Sequence, residues 1–89
     1  MAITALKIKV LPEKPETNLE ELKEGIEESL IKAGAIKISF EIEEIAFGLK
    51  ALIAIIAWSE NLDTEKAEEA CRISGVSSCE IIDHRRAFG

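Results

Sequence analysis

Along residues 4–11, Leu6, Ile8 and Val10 alternate with Lys7 and Lys9. A period of two predicts a strand with one buried and one wet face. Pro12 and Pro15 close it, because proline cannot donate to a sheet ladder. The period then changes. Asn18 is placed to cap a helix, with Glu21 at the capping-box position, and Leu19, Leu22, Ile26 and Leu30 follow at spacings of three and four. Glu20, Glu21 and Glu24 load the end where the helix dipole favours negative charge, and Gly34 is a natural stop. Gly25, inside this helix, is read as allowing close packing on a sheet. In residues 36–43, Ile36, Ile38, Phe40 and Ile42 alternate with Lys37, Ser39, Glu41 and Glu43, which predicts a second strand. A turn over 44–48 leads to a third strand at 49–58, apolar at nearly every position, as suits a central strand. Asp63 or Thr64 caps a second helix that sets Ala67, Ala70 and Cys71 toward the sheet and ends at Gly75. The last strand covers 76–85, with Cys79 and Ile81 on one face. Val76, Ile82 and His84 fit no regular alternation.

The order strand, helix, strand, strand, helix, strand is the split βαβ arrangement: an α+β, ferredoxin-like βαββαβ sandwich with a four-stranded sheet and two helices on one face. The expected sheet has the first and third strands at its centre, running parallel, with the second and fourth at its edges. The inward faces predict a core of Leu6, Ile8, Val10, Leu22, Ile26, Leu30, Ile38, Phe40, Ile53, Ile55, Cys71 and Ile81.

Length and composition narrow the function. Residues 1–89 are enough for one such domain and for no separate catalytic domain. Seventeen acidic residues face eleven basic ones, a net charge of −6, which disfavours direct nucleic-acid binding and suits either a basic protein partner or simple solubility. The longest apolar run, 51–58, is too short to span a bilayer, and no secretory-type leader opens the chain, so a cytoplasmic setting is expected. Cys71 and Cys79 form no Cys-x-x-Cys pair and read as small buried hydrophobes. His84 reads as a plain strand residue, Trp58 as core, and Glu41, Glu43 and Glu44 as a solvated face. No metal, cofactor or catalytic residue is expected.

Three segments carry a family resemblance. Leu6-Lys7-Ile8-Lys9-Val10-Leu11-Pro12-Glu13, Ile45-Ala46-Phe47-Gly48-Leu49-Lys50-Ala51-Leu52 and Gly75-Val76-Ser77-Ser78-Cys79-Glu80-Ile81-Ile82-Asp83-His84-Arg85-Arg86 resemble the first strand, the entry to the third strand and the last strand of archaeal translation elongation factor 1-beta. The Ala-Phe-Gly-Leu piece is the most specific. The resemblance implies a guanine-nucleotide exchange factor that promotes GDP-to-GTP exchange on elongation factor 1-alpha by docking, without covalent chemistry. Eukaryotic relatives carry a lysine near the C-terminus associated with disrupting the GTPase magnesium site. This chain reads Arg85-Arg86-Ala87-Phe88-Gly89 there, and arginine does not substitute freely for lysine.

The expected partner-binding residues are Phe47, Gly48, Arg85 and Arg86. Phe47 would be an aromatic anchor or, equally, a core residue capping one end of the sheet, and Gly48 a bend or a point of close backbone approach. If the third and fourth strands run antiparallel, the Phe47 turn and the Arg85–Arg86 end share one rim of the sheet. Rival readings fare less well. The loop 12–18 has neither the arginine nor the glycine of an acylphosphatase-type anion cradle, and the third strand lacks the aromatics of an RNA-binding sheet before Trp58. A regulatory domain that binds a small molecule such as an amino acid remains the alternative.

Overall fold

The computed structural model describes residues 2–46 and 48–88, the last three as backbone only. Six elements follow in order: β1 (Ile3–Pro12), α1 (Leu19–Ala33), β2 (Lys37–Ala46), β3 (Leu49–Ser59), α2 (Thr64–Ala70) and β4 (Val76–Phe88). They form one sheet of order β2-β3-β1-β4. The fold is the α+β, ferredoxin-like one that the periodicities predict.

Every pairing is antiparallel. This corrects the expectation that the two central strands run parallel. Each helix returns the chain to the end of the sheet from which the preceding strand set out, so β2 repeats the direction of β1. The hairpin then reverses β3, and α2 makes β4 repeat β3. It is β3 and β4 that share a direction, on either side of β1.

The helix ends follow the capping chemistry. Asn18 Oδ1 accepts from the backbone N–H of Glu20 at 3.0 Å and of Glu21 at 3.3 Å. Gly34 donates its own N–H to Leu30 and Ile31. At α2 the structure selects Asp63, whose Oδ1 accepts from Glu65 N–H at 3.0 Å. That helix ends at Ala70 instead of running to Gly75. The N–H groups of Cys71 and Arg72 bond three residues back, to Glu68 and Glu69, tightening the last turn. Ile73 then folds back over α1. A Cβ on Gly25 would lie 2.8 Å from Ile73 Cδ1, so the glycine admits the loop after α2 and not, as expected, the sheet.

Leu22, Ile26 and Leu30 of α1, with Ala67 of α2 and Cys71 just after it, share one core with Leu6, Ile8 and Val10 of β1 and Cys79 of β4. On β3 the inward residues are Leu52, Ala54, Ile56 and Trp58, which stand opposite Val10, Ile8, Leu6 and Thr4. Ile53 and Ile55 point to the helix-free face, against expectation. The strand is apolar on both faces, so its alternation could not choose, and a one-residue choice flips the whole set. Ile38, Phe40 and Ile81 pack at the core's margin, half-buried. The irregularity in β4 is a bulge: Lys7 pairs with Asp83 and Ile8 with Ile81, which leaves Ile82 unpaired and exposed.

Candidate docking surface

The β2–β3 turn carries Phe47 and Gly48. Gly48 has a φ of 79°, a left-handed conformation that side-chain-bearing residues rarely adopt. Among the described residues nothing lies within 4 Å of where its Cβ would be, so the glycine serves the bend and not a close approach. Phe47 lies outside the described residues. Beside the turn is a shallow cleft of about 280 Å³ walled by Glu44, Ile45, Ala46, Leu49 and Lys50. Ile42 and Ile45 stand exposed nearby. The sequence reading passed over both as docking residues, because Ile42 continues the inward alternation of β2. It does lie on the helix-side face, opposite Leu52, but near the end of an edge strand where little covers it.

Arg85 pairs with Ala5 and Arg86 with Thr4. The Arg85 side chain is largely exposed, and its Nε lies 3.1 Å from Asp83 Oδ2. Asp83 also accepts from the His84 backbone N–H at 3.0 Å. Such an exposed ion pair is worth little and leaves the guanidinium free to exchange partners. The side chain of Arg86 lies outside the described residues.

The structure does not bring the turn and the two arginines together. Four residues separate Gly48 from Leu52, which pairs with Val10, and five more separate Val10 from Ala5, the partner of Arg85. At about 3.3 Å per residue the two places stand roughly 30 Å apart. The long axis of the molecule is 41 Å. The single rim expected from an antiparallel β3–β4 relation is therefore corrected to two opposite ends, because those strands run the same way.

The chemistry between the ends is quiet. Among the described residues no three His, Cys, Asp or Glu side chains gather as metal ligands. Burial pushes the Cys71 thiol up to about 12, with Cys79 and Glu68 adding to the effect. Burial also raises Cys79, opposed by the nearby Arg72 guanidinium. Neither cysteine is poised as a thiolate nucleophile. No described helix is long and apolar enough to cross a membrane.

Against known families, residues 5–86 match the EF-1 guanine nucleotide exchange domain. The chain belongs to that family. Elongation factor 1-beta of Methanosarcina barkeri is 48% identical over 86 residues, covering 93% of this chain and 96% of that protein. The same factor of Sulfolobus acidocaldarius is 44% identical over 82 residues, covering 89% and 90%. That of Methanothermobacter thermautotrophicus is 43% identical over 81 residues, with the same coverage. The elongation factor 1-beta family is thus matched through both ends of the sheet. The matched span takes in the Phe47–Gly48 turn and Arg85–Arg86 alike, which ties translation elongation and guanine-nucleotide exchange to this fold.

Proposed function

We propose that this protein promotes GDP-to-GTP exchange on elongation factor 1-alpha by docking, in the cytoplasm, with no covalent step and no cofactor. The observation that carries this reading is the match to the exchange domain over residues 5–86. The physical logic is linkage. A partner that binds the nucleotide-free GTPase more tightly than the loaded form lowers nucleotide affinity by the same factor that nucleotide lowers its own. GTPase switch segments are held by phosphate and magnesium contacts, so distorting them speeds release.

On this reading the two ends of the sheet act as separate contacts. Phe47, which precedes Gly48 in the sequence, is the apolar anchor, and the exposed Ile42 and Ile45 extend the apolar contact. Arg85 and Arg86 supply cations at the other end. A GTPase that engages both must present surfaces roughly 30 Å apart, which a single short loop does not. A rigid sheet between two contacts can thereby hold two parts of a partner at a set separation.

The test is release of a fluorescent GDP analogue from purified elongation factor 1-alpha of the same organism. Wild-type protein accelerates release in a saturable manner. Phe47→Ala weakens the interaction by about 1–3 kcal/mol while leaving the fold intact. Absence of any acceleration by the wild type overturns the exchange reading.

A further inference from the structure

β2 is an edge of the sheet, paired with β3 alone among the described residues. An open edge invites another strand, and proteins usually guard it with bulges, prolines or brief length. The other edge, β4, is guarded: its register against β1 shifts at three places. β2 is not. It runs ten residues without proline or glycine, and its register against β3 is unbroken from Lys37 to Glu44. Its helix-side row is Ile38, Phe40 and Ile42, with no charge among them. Ile42 is 55% exposed. Phe40 is only half-buried, although Lys23 of α1 stands over its ring, 5.8 Å from the centroid.

The row on the helix-free face is Lys37, Ser39, Glu41 and Glu43, positive at its start and negative at its end. A strand charged in this way complements its own reverse. Turned antiparallel about Phe40, it sets Lys37 opposite Glu43 of the second strand, Ser39 opposite Glu41 and Ile38 opposite Ile42, and the two Phe40 rings face each other. Aromatic and opposite-charge pairs of this kind stabilise a ladder. The two Glu41 side chains meet only on a diagonal, and each has Lys37 of the other strand on its second diagonal. Centring on Glu41 instead would set two carboxylates directly opposite. Centring on Ser39 would leave Glu43 facing Ala35, outside the strand. A shift by one residue would set the polar row against the apolar one. Glu43 has Lys9 Nζ 3.6 Å from its carboxylate, but its side chain is half-exposed, and a carboxylate accepts from more than one donor.

We propose that two copies of this chain associate through their β2 edges, antiparallel about a two-fold axis at Phe40, and so join their sheets into one. Both helix layers then lie on the same side of the joined sheet, and the bulged β4 edges are outermost. A two-fold contact uses the same patch on both copies, so it closes as a dimer and does not propagate. Ile42 belongs to this contact and to the proposed docking surface alike, whereas Ile45 and Phe47 follow the paired run in sequence. The inference goes beyond the exchange reading and does not rest on it, because association is measured on this protein alone.

Sedimentation equilibrium of the full chain over a wide dilution series should show monomer and dimer and no larger species. Lys37→Glu and Glu43→Lys, each alone, set like charges opposite one another twice in the dimer. Each should weaken association by about tenfold or more. An equimolar mixture of the two variants restores opposite charges at both places and should recover the wild-type dimer. Circular dichroism checks that each variant is folded, and recovery on mixing cannot come from a repaired fold, since neither chain has changed. A wild-type protein that stays monomeric at every concentration overturns the proposal. So do single variants that dimerise as tightly as the wild type, or a mixture that stays monomeric.

Discussion

Lys9 of β1 reaches Glu43 of β2 with its Nζ 3.6 Å from the carboxylate, and β3 runs between the two strands. The pair closes across the helix-free face, where Ile53 sits directly opposite Lys9. This explains how a residue facing away from both helices is only 5% exposed. A long basic side chain covers apolar surface with its stem while its charged head stays wet.

The two faces of β3 should therefore respond differently to truncation. Ile56→Ala opens a cavity in the helix-side core and should cost about 2–5 kcal/mol. Ile53→Ala should cost clearly less, because the flexible Lys9 stem can settle into the gap. Urea unfolding of both variants checks the order. Equal losses would show that the helix-free face is packed as rigidly as the core.

Gly25 and Ile73 form a second testable pair. Alanine at position 25 gains roughly 1 kcal/mol of helix propensity, but its methyl would meet Ile73 Cδ1 at 2.8 Å. Gly25→Ala alone should lower the melting temperature. Adding Ile73→Val, which removes the offending methyl, should recover most of the loss.

The buried thiols make a pH prediction. Cys79 Sγ donates to the Glu68 carbonyl at 3.2 Å, and that same oxygen receives the Cys71 backbone N–H at 3.1 Å. Burial pushes the Cys71 thiol from its ordinary 9.0 up to about 12. The unfolded chain therefore loses this proton first. The stabilising contribution is full below pH 9.0 and fades as pH rises toward 12, by at most about 1.4 kcal/mol per pH unit. Urea midpoints at pH 7, 9 and 10.5 should fall accordingly, with a shallower slope in Cys71→Ala. Iodoacetamide at pH 8 should label Cys71 only after denaturation.

The opposite-ends geometry predicts independence on the proposed partner. Phe47→Ala and the double change Arg85→Ala, Arg86→Ala lie far beyond the range at which neighbouring sites couple. Their effects on GDP release should multiply when combined. Only the arginine component should shrink at high salt, because exposed charges are screened.

How much of this was legible in the residues depends on where the patterning was one-sided. β1 and α1 each bury one face, and their inward residues and caps follow from spacing alone. β3 is apolar on both faces, so its orientation came only from its register against β1. The relative direction of β3 and β4 was a matter of counting reversals through the chain, and an error there moved a docking end by the length of the sheet.

The sheet order has a consequence for how the molecule is made. Within this domain the strand made first, β1, is a central one, and both of its neighbours come much later in the chain. Its full set of partners is complete only when the last strand has emerged. Early in synthesis α1 and the β2–β3 hairpin can form from local contacts, but the core cannot close around β1. Folding of this kind is dominated by contacts distant in sequence and is slow for the chain's size. Until β4 is made, one edge of β1 stays unpaired and open to mispairing.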